Sequence, residues 1–522
     1  MDIEENINYQ ILDVSSWLKD ELDKGPGVGE REKEWIRDPA TNRVAMFKIP
    51  REDRGEHWAE KICSEIAGVL GFPCAKVEIA IRNGTIGCLS YFFLEKNQGF
   101  SHFDGGKFFP FDYDDEKNVG YNIQLINEVL SPYNLFKHFL FIIVFDALVA
   151  NGDRHQDNWG ITRHDKKDDI RISPMYDNSA CLGRELSKEK VRNLLQSQGD
   201  FLRYIFRSKS KIGWDDTKKE YHFLLVKKLC NLFPNEVLSL IDNLNKLSDN
   251  KIKQIVEGLP SSIITNEHKL FIIKYLMKRR DILIRIGDNM GKKVDKLLLI
   301  WKEPETRQRY TVGELSYDEN EDMYRFEYKN PQLDDALANG FKDYPNFPDL
   351  TKQYEIKGSL FKSIKSRLPK PKRPDYQEIL DRYGLDPHCT DLELLEATRG
   401  RIATDNFEFV KSITYSPGQS FNVNFDLAGA RHYKFREIAD KLNIGDPIIL
   451  ELEPKNEYDK YAVCVLTESR DKIGFVPNYY SYQFHNMLRD NVKYKAILVK
   501  LDISNELPDE WAKISVEIIL DK

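Results

Sequence analysis

Cysteine is sparse and unpatterned: seven residues are scattered along 522 positions, with no Cys-x-x-Cys pair and no histidine cluster beside them. Neither a disulfide framework nor a structural zinc site is expected, and a reducing compartment fits best. A long hydrophobic run is also missing. The most apolar stretch, Leu135 to Ala150, is too short for a comfortable membrane span and carries Lys137, His138 and Asp146. It reads as a buried helix. Met1 to Gln10 has no apolar core, so no signal peptide is expected there, and the chain is expected to be cytoplasmic without membrane contact. Nor is positive charge in excess. A formal net charge of −7 argues against a wholesale coat for nucleic acid and leaves room for a local basic face.

What is present is a globular composition, 41% hydrophobic, 31% charged and 12% aromatic. A chain of this length divides into two to four compact units. From about Ser15 to Glu95 a Gly-rich turn (Gly25, Gly27, Gly29) precedes the strand Arg43 to Ile49. A helix from about His57 to Leu70 follows, with Gly71 and Pro73 as stop signals, and then strands at Lys76 to Ile81 and Ile86 to Leu94. From Tyr133 to about Gly287 the pattern is mostly helical, broken by the polar run Asn151 to Asn158. Strands return between Leu297 and Tyr328. Between Lys352 and Arg373 eight Lys or Arg stand against one acidic residue. Short helices are expected at Tyr376 to Tyr383 and Asp391 to Thr398. The last zone alternates like a small β-domain, with helices near Tyr433 to Leu442 and Tyr479 to Leu488. The expected divisions are a small lobe over 1–130, a helical lobe over 131–290, a β-rich subdomain over 291–350, a basic linker over 351–404 and a β-domain over 405–522.

One constellation carries chemistry. Phosphoryl transfer needs a carboxylate for the acceptor hydroxyl, a second carboxylate and an amide oxygen for Mg²⁺, and an anchored lysine on the nucleotide phosphates. Asp153 and Asn158 stand five residues apart directly after the apolar helix, the spacing of a kinase catalytic loop. Asp177 follows a strand-like run where the second metal carboxylate belongs. Upstream, Lys48 ends a strand, and Glu60 lies early in the next helix, placed to pair with it, with Glu56 and Glu65 as rivals. Gly27 and Gly29 are candidates for a phosphate cradle. Taken singly, an exposed lysine, a solvated glutamate, a turn aspartate and a flexible glycine loop explain these residues as well; their order along the chain is what gives them weight.

Asn151-Gly152-Asp153-Arg154-His155-Gln156-Asp157-Asn158-Trp159-Gly160, followed by Pro174-Met175-Tyr176-Asp177, resembles the catalytic and metal-binding motifs of the HipA-like serine/threonine kinases. Phe145 to Ala150 and the Phe47-Lys48 strand end belong to the same pattern. The resemblance covers roughly residues 15 to 290. It implies an α+β, two-lobed protein-kinase-like core, with ATP and Mg²⁺ as cofactors. Asp153 is then the catalytic residue, Asn158 and Asp177 are metal ligands and Lys48 contacts ATP. The loop Gly25 to Lys33 departs from the serine-bearing loop of the HipA toxins, so self-inactivation by loop phosphorylation is not carried over. The strand-rich part that precedes the core in those toxins is not expected at the front; short strings like it stand after the core, at Trp301, Val312 to Leu315 and Phe326 to Tyr328, where an ordinary β-hairpin explains them at least as well.

Four further blocks occur in order: Leu427 to Tyr433, Gly445-Asp446, Glu453 to Val463, and Lys472-Ile473-Gly474-Phe475-Val476-Pro477. Together they resemble the HIRAN domain, a small β-barrel found in DNA-repair helicases, where it binds single-stranded DNA ends. The resemblance implies Arg431 and His432 near a phosphate, Tyr433 and Tyr458 as flat faces for bases, and Asp459 as acceptor for a terminal hydroxyl. Turn geometry explains Tyr458, Asp459, Asn456 and Gly445 equally well. From Asp405 to Lys522 fifteen basic residues face nineteen acidic ones, so any nucleic-acid contact is a focused pocket around Arg431 and Lys434.

The expected function is therefore an ATP-dependent protein serine/threonine kinase joined to a module for single-stranded DNA or DNA ends. A toxin or phage-defence setting and a regulatory partner protein go with that reading. The Gly-Asp-Arg-His-x-x-Asn string also resembles the catalytic loop of phosphoinositide kinases, so a lipid kinase is one alternative. A catalytically silent nucleotide-binding scaffold is the other.

Overall fold

Along Val44–Lys48 every second residue, Ala45 and Phe47, is buried, which commits this segment to a sheet with one face on a core. The computed structural model describes residues 7–20, 33–94, 99–111, 113, 120–215, 219–290, 294–328, 332–416, 422–433, 435–504 and 511–518. Gly25, Gly27, Gly29 and Lys434 lie outside them. The chain forms two compact units, Met1–Lys293 with Pro371–His388, and Val294–Lys370 with Cys389–Lys522.

The first unit begins with a small lobe. Strands β1 (Leu12–Asp13), β2 (Leu18–Lys19), β3 (Lys33–Arg37), β4 (Val44–Lys48), β5 (Val77–Arg82) and β6 (Thr85–Tyr91) form one sheet in the order β1-β5-β6-β4-β3-β2. Helix α1 (Glu56–Leu70) packs on β5 and β6, with Lys61 reaching Glu78 and Ser64 bonding Ala75 and Val77, while its apolar residues Trp58, Ile62 and Ile66 join the core of the helical lobe. It ends at Gly71, whose φ of +68° is the left-handed cap that glycine adopts without strain.

The second lobe is built around α3 (Phe136–Val149), which follows α2 (Ile123–Leu130). Helix α3 is apolar on every side and almost wholly buried, because α6 (His222–Leu232), α7 (Pro234–Asn243) and α9 (Asn266–Asp288) surround it. Strands β7 (Phe100–Asp104), β8 (Gly160–His164) and β9 (Ile170–Ile172) make a three-stranded sheet beside it. Helices α4 (Lys188–Gln196), α5 (Gln198–Phe206) and α8 (Asp249–Glu257) and the short pair β10 (Lys209–Ser210) and β11 (Glu220–Tyr221) complete the lobe. Pro371–His388, with its helix Tyr376–Arg382, belongs to this unit as well.

The second unit holds two sheet systems. Strands β12 (Lys296–Lys302), β13 (Arg309–Asp318), β14 (Met323–Glu327), β15 (Tyr354–Lys357) and β16 (Phe407–Lys411) form an antiparallel sheet in the order β15-β14-β13-β12-β16. Strands β17 (Asn422–Asp426), β18 (Ile448–Leu452), β19 (Val463–Thr467), β20 (Lys472–Phe475), β21 (Tyr494–Leu501) and β22 (Ala512–Ile518) form two three-stranded sheets, β17-β22-β21 and β18-β19-β20. Bridges at Pro447↔Ile497 and Ala428↔Phe475 join their free edges, so the six strands close into the small barrel expected from the sequence. Phe425, Phe435, Phe484 and Trp511 fill it.

Two expected boundaries are corrected. The five-stranded sheet runs across residue 350 through β15 and across residue 404 through β16. Residues 351–404 are therefore not a linker: the buried Leu360, Ile364 and Leu368 underlie their basic surface, and 371–388 is part of the first unit. The expected helix Tyr433 to Leu442 is a short helix, Phe435–Ile438, between two 3₁₀ turns, while Tyr479 to Leu488 lies within the helix Asn478–Arg489.

Within the second unit Glu408 is buried among three guanidinium groups, Arg309 at 2.8 Å, Arg401 at 2.7 Å and Arg399 at 3.5 Å. Arg399 also reaches Asp426 of β17 at 2.9 Å, tying the sheet to the barrel. Burial alone would raise the Glu408 carboxyl, but Arg401, Arg309 and Arg399 override it and hold the pKa at about 2. The folded value lies below the ordinary 4.5, so this stabilisation is complete above that pH and is lost as pH falls toward 2. Glu408→Gln is expected to destabilise the second unit by about 3–5 kcal/mol at pH 7. Urea titrations at neutral pH and at pH 3 should show the deficit shrinking at the lower pH.

Candidate active site

Lys48 closes β4 in register with Cys88 of β6 and Lys33 of β3. Gly87 makes this pairing possible, since a Cβ there would stand 2.4 Å from the Lys48 carbonyl oxygen. The Lys48 ammonium sits 3.0 and 3.1 Å from the two Glu60 oxygens and 3.2 Å from Asp177 Oδ1. Burial would depress this ammonium; the carboxylates of Asp177 and Glu60 more than offset that and hold its pKa above the ordinary lysine value. The rival glutamates are engaged elsewhere. Glu56 accepts from the Arg51 amide and pairs with Arg184, and Glu65 pairs with Lys61.

Helix α3 ends at Ala150, which turns left-handed at φ +58° and starts the polar loop. Asn151 Oδ1 accepts from the Asp153 amide at 3.1 Å. Asn158 Nδ2 donates to the Asp153 carbonyl at 2.7 Å, which leaves its amide oxygen as the end available to a ligand. Arg154, between them, points inward and is fully buried. Its Nε and Nη2 form a two-pronged pair with Asp146 at 2.9 and 2.7 Å. The remaining N–H groups reach the Asn158 carbonyl at 2.7 Å, the Tyr176 carbonyl at 3.1 Å and Asn178 Oδ1 at 2.5 Å. Burial pushes the Asp146 carboxyl up and Arg154 opposes it, while Asp146 keeps the guanidinium charged.

After β9 the chain runs beside the small lobe, where Met175 exchanges backbone bonds with Pro73 and Ala75 at 2.9 and 2.8 Å. Asp177 follows in the left-handed region at φ +53°. A cleft of about 880 Å³ opens here, large enough for a nucleotide. Trp35, Met46, Phe92 and Phe93 supply its apolar wall, and Lys48, Asp153, Asn158 and Asp177 its polar one. Lys48, Glu60, Asp153, Asn158 and Asp177, expected from separate stretches of sequence, thus gather at one site. Gly27 and Gly29 lie outside the described residues. Among the described residues no three His, Cys, Asp or Glu side chains cluster as a metal cage. One carboxylate and one amide oxygen still suit Mg²⁺, which takes few protein ligands when phosphates supply others.

Sequence reasoning assigned no role to Asp146, Arg154, Asn178, His102, Asp104 or Tyr176. Tyr176 donates to Asp104 at 3.1 Å and to the Asp157 carbonyl at 3.0 Å. His102 lies 3.1 Å from the same carboxylate, and this contact first, with Tyr176, holds the Asp104 carboxyl below its ordinary value. The arginine following Asp153 was visible in the motif; only its burial reveals its work.

In the barrel, the paired backbone of Ala428 and Phe475 brings the turn carrying Arg431, His432 and Tyr433 against β20. Arg431 and His432 are exposed and joined at 2.8 Å. Lys472 places its ammonium 4.9 Å from the Tyr433 ring and 4.3 Å from that of Phe475, and pairs with Glu453. Tyr458 is 86% exposed. Asp459 serves the turn, accepting from the Tyr461 amide at 2.8 Å while Asn456 Oδ1 accepts from Tyr458 and Asp459.

Residues 420–521 match the HIRAN domain family. The serine/threonine-protein kinase CtkA of Helicobacter pylori (strain J99 / ATCC 700824) is 25% identical over 168 residues, 30% of this chain and 48% of that protein. The match thus spans about half the length of this relative. Among solved structures, a Helicobacter pylori proinflammatory kinase CtkA aligns with TM-score 0.47 and 19% identity over 53% of this chain and 96% of its own. HipA of Shewanella oneidensis MR-1, solved with HipB and operator DNA, aligns with TM-score 0.33 and 13% identity over 52% and 68%. The HIRAN domain of human HLTF aligns with TM-score 0.15 and 14% identity over 20% and 79%. The N-terminal part of the chain resembles CtkA and HipA, and its C-terminal part carries a HIRAN domain.

Asp146→Asn leaves Arg154 without its counter-charge in a buried site. The expected loss is about 3–5 kcal/mol of stability in the first unit, read by urea denaturation.

Proposed function

We propose that this chain is an ATP-dependent protein serine/threonine kinase whose HIRAN domain binds DNA. The observation that carries the kinase reading is the Lys48 ammonium held by Glu60 and Asp177 within 3.2 Å, in the cleft that Asp153 and Asn158 also line. Glu60 keeps Lys48 at the mouth of the polar wall, where it meets nucleotide phosphates. The Asp153 carboxylate receives the proton-bearing acceptor hydroxyl and orients its oxygen. Asn158 and Asp177 are the residues that would hold Mg²⁺, which would supply positive charge for the phosphate oxygens. The likeness to CtkA, a serine/threonine-protein kinase, favours a protein over a lipid acceptor. With DNA bound at the HIRAN domain, phosphorylation would answer to nucleic-acid state, in a toxin, stress or phage-defence setting, and a regulatory partner protein is part of this reading.

Phosphate transfer from γ-labelled ATP in the presence of Mg²⁺ tests the kinase reading, with thermal shift as the measure of nucleotide binding. Asp153→Ala is expected to keep the ATP-induced shift and to lose about 10²–10⁴-fold in transfer. A wild-type protein that binds ATP yet labels no protein, itself included, in a mixed protein and lipid acceptor panel would be a scaffold. Labelling of lipid alone would make it a lipid kinase.

For the DNA half, fluorescence anisotropy of the full chain with single-stranded and blunt duplex oligonucleotides is the direct measurement. Tyr433→Ala is expected to weaken single-strand binding by about 1–3 kcal/mol through lost stacking. Absence of binding to either DNA at low salt would remove this half.

A further inference from the structure

Behind the loop that carries Asp153 lies a brace with no part in the chemistry just described. His222, the first residue of α6, is buried, and its Nε2 stands 3.0 Å from the Asn151 carbonyl. Asn151 in turn fixes the Asp153 amide at 3.1 Å, so one residue separates His222 from the acceptor-side carboxylate. Burial first, then the neighbouring Arg279, pulls the His222 pKa down to about 3, so the ring is neutral and Nε2–H donates to the carbonyl.

The other side of the ring faces Ser208, whose hydroxyl also lies 3.0 Å from the Ile205 carbonyl. Nδ1 lies 3.2 Å from Ser208 Oγ, which accepts from Arg279 Nη1 at 2.8 Å. Arg279 is fully buried in α9, and none of its described contacts is a carboxylate. Its guanidinium donates to the Ala147 carbonyl at 2.8 and 2.6 Å and to the Ile205 carbonyl at 2.9 Å, with the Phe223 ring 4.5 Å away. A buried cation held by neutral acceptors is costly where an apolar side chain would be stable. What it gives here is a rigid tie between the end of α3, the chain before β10 and His222.

The strap Pro371–His388 grips both ends of this brace. On α9, Lys278 and Arg285 hold Asp381 at 2.6 and 3.3 Å, and Lys278 is the residue before Arg279. At α6, the His388 ring packs on Tyr221 with centroids 4.7 Å apart, and Tyr221 is the residue before His222. Lys227 of α6 adds Asp386 at 3.7 Å. The residues on either side of the strap, Lys370 and Cys389, belong to the unit that carries the HIRAN domain.

We propose that His222 is a positioning residue for the phosphoryl-transfer loop, and that the strap sets how firmly it holds that loop. The inference rests on the kinase reading for its consequence, while its geometry is measurable without turnover. The test uses the full chain with His222→Phe, His222→Gln and Asp381→Ala, reading hydrogen exchange over 151–158 together with ATP-dependent transfer. His222→Phe is expected to raise exchange in 151–158 and to lower kcat by about 10²-fold, with KM for ATP nearly unchanged. His222→Gln, whose amide can donate to the same carbonyl, restores most of both. Asp381→Ala raises exchange in the strap and in 151–158 but not in α3 or α7. Equal losses in the Phe and Gln variants, or exchange rising uniformly across the helical lobe, would overturn the positioning role. Unchanged exchange over 151–158 in Asp381→Ala would overturn the strap's part. A wild-type protein without transfer activity would defeat the kinase reading alone, since the exchange comparison still decides whether the brace exists.

Discussion

The site depends on one buried ion pair, Arg154 with Asp146. A guanidinium has five N–H donors in a rigid fork, and in a dry interior each one left unmet costs stability. Here all five are met, by Asp146 twice, Asn158, Tyr176 and Asn178. Those acceptors come from the last turn of α3, from the loop after it and from the stretch that carries Asp177. The arrangement that satisfies the charge also brings the loop of Asp153 and Asn158 beside Asp177. An apolar core alone would position α3 but would not fix the register of two polar loops against each other.

Much of this was legible from local pattern. The strand ending at Lys48 and the helix carrying Glu60 follow from alternation and from a helical apolar stripe, and the motif from Asn151 to Asn158 announces its chemistry by spacing. Which glutamate meets Lys48 was not legible, because Glu56, Glu60 and Glu65 all sit on one helix and only tertiary packing assigns Arg51 and Arg184 to the first and Lys61 to the last. The work of Arg154 was hidden for the same reason. A basic residue in a polar loop reads as exposed until the depth of Asp146 is known. The stretch 351–404 misled by its charge count: eight basic residues concealed Leu360, Ile364 and Leu368, spaced four apart and all buried.

The second unit shows a different balance. Its barrel closes through two backbone bridges, and its sheet is joined to that barrel by Glu408, Asp426 and the arginines between them. The HIRAN domain is thus one part of a larger unit whose charged seam reaches β16. Tyr433, one of the residues expected to meet nucleic acid, shares an aromatic and cationic corner with Lys472 and Phe475, which were not among them, whereas Asp459 is tied into the geometry of its own turn.

The strap also bears on how the protein is made. Ribosomes deliver the chain from its N-terminus at about 5–20 residues per second. Helix α9 ends at Asp288 and the strap begins at Pro371, so the helical lobe emerges some eighty residues before the segment that covers it. For roughly 4–16 s at that speed the groove that receives Asp381 and His388 is bare. Nascent chains at this stage are candidates for chaperone capture at that groove, and the kinase-like half reaches its final form only after part of the following unit has been synthesised.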